Sequence, residues 1–232
     1  MRVLSIIPAR GGSKRLPGKN TKLLFDKPLI CWSIDFAKSI PWITEIQIST
    51  DSQEIVTACL QSGIHVERLR PSHLGTDEVS SIDVVLELLE WLESQGKTFD
   101  VVSLLQPTTP VRYVERWNTA IDMLSKNICD AVVGVSISEV HPYLHYKKDS
   151  KGFLNPWICD HTEITRSQDY PFSCSINGSL YMIKVKALLE QKTFIPKKCI
   201  PVICADQVEN IDIDTSFDWQ VAEILISNWI AK

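Results

Sequence analysis

No two of the seven cysteines stand at C-x-x-C spacing, and their number is odd. A disulfide framework calls for an even set and a zinc site for closely spaced pairs. Cysteines 31, 59, 129, 159, 174, 199 and 204 therefore read as reduced, mostly buried thiols. No apolar stretch approaches the roughly 20 residues of a membrane span. The apolar start at residues 3–7 is too short for a signal peptide and runs into a polar loop, so a cytoplasmic protein without a membrane partner is expected. Positive charge is also in deficit: 24 Lys and Arg against 28 Asp and Glu leave a formal net charge of −4. That argues against a nucleic-acid partner and makes any local cluster of cations a site for a small anion. Internal repeats, low-complexity tracts and linkers are absent. The 232 residues, 44% hydrophobic and 22% charged, suit one α/β domain over 1–232 with a substantial core.

Against that acidic background, residues 6–20 read I-I-P-A-R-G-G-S-K-R-L-P-G-K-N, an apolar strand opening into a loop with three glycines and four cations. Gly11, Gly12 and Gly18 leave room for backbone N–H groups to turn inward, and Arg10, Lys14, Arg15 and Lys19 supply charge, a composition suited to nucleotide phosphates. It is not a Walker A loop: five residues separate Gly12 from Gly18, and Asn20 follows Lys19 where Ser or Thr is required. A dinucleotide fingerprint opens directly into a helix, whereas the next helical pattern begins only near Pro28, which disfavours a nicotinamide cofactor. The plain alternative is an exposed basic loop.

Apolar runs at 3–7, 43–50, 101–105 and 131–137 read as strands buried on both faces. Helical spacing appears at 29–37, 53–61, 79–95, 114–124 and 216–230. In the third helix Ile82, Val85, Leu86, Leu89 and Leu92 share one face, and Ser80 or Ser81 is placed to cap it. The last is expected to bury Phe217, Val221, Ile224 and Leu225, with Asp214 or Thr215 at its start. The alternation predicts a doubly wound α/β fold around a mostly parallel sheet. Residues 139–176 break the pattern: polar, proline-bearing and aromatic, they read as an excursion serving a lid, a partner subunit or both, with disorder as the competing reading.

Ligands of open α/β sheets bind beyond the carboxyl ends of the strands. Ser49-Thr50-Asp51 and Gln106-Pro107-Thr108-Thr109-Pro110 fall at such ends beside the basic loop. Asp51 reads either as a site residue or as a helix cap. Gln106 either orients a substrate hydroxyl or belongs to a turn shaped by the prolines. In Ile211-Asp212-Ile213-Asp214-Thr215, extended alternation puts Asp212 and Asp214 on one side, where they suit a shared Mg²⁺; a capping Asp214 beside a solvated Asp212 is the alternative.

The basic loop, S-T-D ending at Asp51, L-R-P at Leu69, S-S-I at Ser80, L-Q-P-T-T-P at Leu105, N-G-S-L-Y at Asn177 and I-D-I-D-T together resemble the acylneuraminate cytidylyltransferases, the CMP-sialic acid synthetases. The resemblance runs nearly end to end in the family's order. It implies that Arg10, Gly11, Gly12, Ser13 and Lys19 hold the triphosphate of CTP and that Asn20, Arg70 and Ser81 bind cytidine. It also implies that Gln106 and Tyr181 face a nonulosonic acid and that Asp212 and Asp214 bind Mg²⁺. The 139–176 excursion would exchange contacts in a homodimer with shared active sites and carry Arg166 to the partner's site. The chain has Arg166-Ser167-Gln168-Asp169 where the family often has R-R-Q-D, and Cys174-Ser175 where an aromatic and basic pair often precedes the N-G element. The acceptor therefore stays open among sialic, legionaminic and pseudaminic acids.

The implied reaction brings an anionic acceptor to a triphosphate. Unit charges 4 Å apart interact by about 4 kcal/mol at an effective dielectric of 20, so cations and a metal near the phosphates answer the main obstacle. Three other readings compete: a 3-deoxy-manno-octulosonate cytidylyltransferase, a nucleotidyltransferase using UTP and a sugar phosphate, and a non-catalytic nucleotide-binding protein.

Overall fold

The first strand shows why both faces of the sheet must be covered. In β1 (Val3–Pro8), Val3 and Ile7 enter one apolar cluster while Leu4 and Ile6 enter the cluster on the opposite face. The computed structural model describes residues 1–76, 78–158 and 166–231. After β1 come β2 (Leu23–Leu24), β3 (Lys27–Pro28), α1 (Leu29–Ser39), β4 (Glu45–Ser49), α2 (Gln53–Gln61), α3 (Ser81–Ser94) and β5 (Val101–Leu104). The chain continues through α4 (Val114–Ser125), β6 (Ala131–Ile137), β7 (Tyr146–Lys148), β8 (Leu154–Pro156), β9 (Cys174–Lys184), α5 (Val185–Gln191), β10 (Cys199–Ile203) and α6 (Ser216–Ile230).

Six strands form the main sheet in the order β10-β6-β9-β5-β1-β4. β9 runs antiparallel to both its neighbours, while β1 is parallel to β4 and β5 and β6 is parallel to β10. The sheet is therefore mostly parallel, and chain order reverses at β1, where a crevice opens beyond the strand ends. Ile30 and Ile34 of α1, Ile55 of α2 and Trp117 of α4 cover one face. Val85, Leu88 and Leu92 of α3 with Leu188 of α5 cover the other, giving the doubly wound arrangement expected. A third cluster joins Leu16 of the basic loop and Ile213 to Trp219, Ala222 and Ile226 of α6, so a core contact sets the position of the loop.

Four strands and five helices coincide with those expected, with end shifts of one or two residues. β9, β10 and α5 were not expected. Ser80 caps α3 by accepting from the Asp83 N–H at 3.1 Å. Thr215 caps α6 in a reciprocal box with Asp218, an arrangement typically worth about 1 kcal/mol.

The buried face of α6 differs from expectation: Phe217 and Ile224 are 70% and 61% exposed, and Trp219, Ala222 and Ile226 face the core. This helix is apolar around much of its circumference, so periodicity does not select a rotation; the seating of Trp219 beside Leu16 and Ile213 does. In α3, Val84 and Leu88 are buried, while Ile82 and Leu86 sit at its margin.

The 139–176 excursion is more regular than its sequence suggests. β7 and β8 form an antiparallel hairpin with Tyr146 opposite Pro156, and its last three residues belong to β9. The rings of His141, Tyr143 and Tyr170 cluster with centroids 4.6 to 5.7 Å apart. Phe153, Leu154 and Trp157 are exposed. Residues 159–165 of this segment lie outside the described residues, as does Cys159. Cys31, Cys59, Cys129 and Cys204 are buried, Cys199 is half-buried and Cys174 is exposed. Burial pushes the Cys59 thiol up to about 12. Among the described residues no helix is long and apolar enough to cross a membrane.

Candidate active site

A cavity of about 520 Å³ lies at the carboxyl ends of β1 and β5. Its lining includes Arg10, Ser13, Lys19, Asn20, Arg70, Ser81, Gln106 and Asp214, eight residues singled out from the sequence. Lys14 and Arg15 also line it, so all four loop cations border the same cavity. Leu74, Val79 and Val84 add apolar lining beside Ser81 at the first turn of α3.

The basic loop is held by specific contacts. Asn20 donates from Nδ2 to the Arg10 carbonyl at 3.0 Å, joining the start of the loop to its end. Gly11 does not line the cavity: its N–H donates to Asp51 Oδ1 at 2.8 Å, and an added Cβ would stand 2.8 Å from the Ser52 Cβ. Asp51 thus braces the loop, whereas α2 starts at Ser52 without a side-chain cap. Gly12 lines a smaller neighbouring cleft with Arg10, Lys14 and Thr76.

Lys19 is almost buried, and its Nζ donates to the Ile213 carbonyl and to Asp214 Oδ1, both at 2.8 Å. Arg15 reaches the other carboxylate oxygen of Asp214 at 2.6 Å. Ile213 N–H donates to the Thr108 carbonyl at 2.8 Å, fastening the I-D-I-D-T segment to the end of β5. Asp212 keeps an open edge to solvent, but surrounding protein mass and then the nearby Asp214 raise its pKa. The Thr108 hydroxyl and Lys19 work in the opposite direction. Asp212 does not line the cavity. Among the described residues no group of three or more His, Cys, Asp or Glu is assembled, so the donors on this edge are the two aspartates.

Arg70, in the same lining, donates from Nε to Ser49 Oγ at 2.9 Å and from its terminal nitrogens to the carbonyls of Ser49 and Leu74. Burial lowers its pKa, with nearby Asp51 opposing that effect. Its fork therefore fixes the 70–74 segment against β4 while the side chain lines the cavity.

Gln106 enters from a turn tied by Arg112, a buried residue not singled out from the sequence. Arg112 donates to the Gln106 carbonyl at 2.6 Å and to Thr109 Oγ1 and Ser33 Oγ at 3.1 Å. Gly178 (φ +77°) passes so close that an added Cβ would lie 3.0 Å from Gln106 Oε1. Tyr181 stands outside the cavity, packed on Phe194; burial and then Asp212 raise its pKa. Arg166 is exposed and away from the cavity within this chain.

Sequence reasoning undervalued Asp51, whose position after a strand resembles that of a cap, and Thr108, whose proline-flanked motif resembles a simple turn. Leu74, Val79 and Val84 carry no motif; their role follows from where α3 begins.

Comparison with known proteins identifies the family and the fold. The family model for cytidylyltransferases matches residues 4–143. The chain is 39% identical over 227 residues to CMP-N,N'-diacetyllegionaminic acid synthase of Legionella pneumophila, covering 97% of each. It is 32% identical over 237 residues to a pseudaminic acid cytidylyltransferase of Campylobacter jejuni, covering 97% of this chain and 96% of that one. The solved structure of a CMP:2-keto-3-deoxy-manno-octonic acid synthetase complexed with CTP superposes with a TM-score of 0.71 over 99% of this chain and 100% of that chain, at 16% identity, which shows the shared fold. The chain belongs to the cytidylyltransferase family and is a nucleotidyltransferase.

Proposed function

We propose that this cytidylyltransferase transfers CMP from CTP to the 2-hydroxyl of a nonulosonic acid, releasing pyrophosphate. One observation carries the reading: Arg10, Lys14, Arg15 and Lys19 share a cavity of about 520 Å³ with the apolar wall of Leu74, Val79 and Val84. The cationic wall suits the triphosphate. The apolar wall, with Asn20, Arg70 and Ser81 beside it, suits a nucleoside. Relatives that act on legionaminic and pseudaminic acids support the acceptor class.

The acceptor's 2-oxygen attacks the α-phosphorus, a sugar-O–P bond forms, and the bond from the α-phosphorus to the bridging oxygen breaks with pyrophosphate leaving. The hydroxyl proton passes to solvent or to a base not assigned to a residue. Lys19 and Arg10 offset charge as the phosphates and the carboxylated acceptor approach. Gln106, held by the turn that Arg112 braces, orients the acceptor from the end of β5. No cysteine is required, since direct displacement depends on positioning rather than on a protein nucleophile.

Asp212 and Asp214 are the residues suited to Mg²⁺, which would contribute charge neutralisation and orientation at the phosphates. Both oxygens of Asp214 are held by Arg15 and Lys19, so a hard cation would meet this pair as the phosphates draw those two side chains away. The exposed Phe153, Leu154 and Trp157 of the excursion support a homodimer in which Arg166 reaches the partner's cavity.

Pyrophosphate release from CTP across a panel of sialic, legionaminic, pseudaminic and 3-deoxy-manno-octulosonic acids tests the reading. N,N'-diacetyllegionaminic acid is the first acceptor to try. Release with a nonulosonic acid and not with the octulosonate is expected; release with the octulosonate alone would move the protein to that activity, and a preference for UTP would overturn the nucleotide assignment.

A further inference from the structure

The end of β4 makes more contacts than a strand terminus needs, and they go to both walls of the cavity. Toward the basic loop, the Ser49 carbonyl accepts from Ala9 N–H at 2.9 Å and Asp51 Oδ1 accepts from Gly11 N–H at 2.8 Å. Toward the apolar wall, the Thr50 carbonyl accepts from Arg70 N–H at 2.6 Å, and Ser49 accepts from the Arg70 guanidinium. Asp51 meets the second wall as well: a Cβ added to Gly75 would lie 2.5 Å from Asp51 Oδ2. One carboxylate therefore touches the loop of Arg10 and Ser13 with one oxygen and packs against the turn after Leu74 with the other.

We propose that Asp51 is a positioning residue for the nucleotide, fixing the distance between the triphosphate wall and the nucleoside wall; this rests on the CTP reading above. It does not line the cavity, and one of its oxygens is taken up by the Gly11 N–H. Asp51 attracts Arg70 electrostatically, linking the same carboxylate to the nucleoside wall a second way. A nucleotide spanning both walls senses their separation, whereas the acceptor, seated toward Gln106, does not. Loss of Asp51 should therefore weaken CTP selectively. Glycine at 75 is explained by the same contact, since any side chain there displaces the carboxylate.

The test is equilibrium dialysis of labelled CTP without acceptor, with acceptor KM and thermal midpoint measured alongside. Asp51→Ala is expected to weaken CTP by about tenfold or more, as for loss of a charge-assisted bond, with acceptor KM unchanged. Asp51→Asn keeps an accepting oxygen for Gly11 and should stay within about threefold of wild type, because it retains the hydrogen bond. Gly75→Ala should reproduce the alanine defect. Wild-type CTP affinity in folded Asp51→Ala, or equal loss of CTP and acceptor together with a collapsed thermal midpoint, overturns the proposal. If Asp51→Ala does not fold, Gly75→Ala decides, and unchanged CTP affinity there overturns it. A wild-type chain that binds no CTP defeats the nucleotide reading itself and this inference with it, an outcome distinguishable from a defect confined to the variants.

Discussion

Lys19 and Asp214, 195 positions apart in the chain, meet in an ion pair of 2.8 Å at the floor of the cavity. The lysine is nearly buried and also donates to the carbonyl preceding its partner, so its ammonium is held at a fixed place in the cavity lining. Arg15 neutralises the other oxygen of the same carboxylate. The loop after β1 and the segment before α6 are thereby closed around one site.

Lys19→Ala removes this fixed cation and leaves Asp214 to Arg15 alone. A fall of about 100-fold in kcat/KM for CTP is expected, in line with losing one preorganised charge at a reacting phosphate. Steady-state kinetics at subsaturating CTP measure it, and wild-type values would remove the loop from the reaction.

Asp214→Asn keeps the shape of the side chain but withdraws its charge from Lys19, Arg15 and the proposed metal. Turnover is expected to fall at least tenfold at every magnesium concentration, the effect of losing a hard anionic ligand. Mn²⁺ binding, followed by its paramagnetic resonance, should tighten when CTP is added to the wild type, because the phosphates compete with Asp214 for the two cations. That coupling should vanish in the variant. Unchanged turnover across a magnesium titration would contradict the role.

The aromatic excursion should hold two subunits together. Sedimentation is expected to give a dimer, and mixing inactive Lys19→Ala with inactive Arg166→Ala should restore activity through hybrid sites. A monomer with full activity, or no recovery after confirmed subunit exchange, would contradict the shared site.

Much of this site was legible in the sequence because its polar motifs follow apolar runs, and a parallel sheet brings the ends of such runs together. Lys19 and Gln106 are examples, whereas Asn20 and Ser81 were marked by the family resemblance alone. Asp51 was less legible, because an aspartate after a strand carries the same local signal whether it caps a helix or braces a loop; only the approach of Gly11 and Gly75 separates the two. The rotation of α6 was illegible for a different reason. Phe217 and Ile224 are as apolar as Ile226, and packing around Trp219, a long-range contact, selects among them.

Stability should carry a pH signature from Glu209. Burial raises its pKa, with Arg116, 2.6 Å away, opposing that effect. A carboxyl whose folded pKa lies above its unfolded one is fully tolerated when protonated in both states, and that stability is lost as pH rises from its usual value near 4.5 through the raised one. Glu209→Gln should therefore gain in denaturation midpoint relative to wild type as pH rises over that window. A gain in the opposite direction would mean that the Arg116 pair outweighs burial.

Transfer of a nonulosonic acid labelled with ¹⁸O at its 2-hydroxyl tests the proposed chemistry most directly, with mass spectrometry of both products. Direct attack on the α-phosphorus places the label in the CMP-sugar, bridging sugar and phosphorus, and leaves pyrophosphate unlabelled. Label in pyrophosphate, or CTP breakdown without a CMP-sugar, would contradict it.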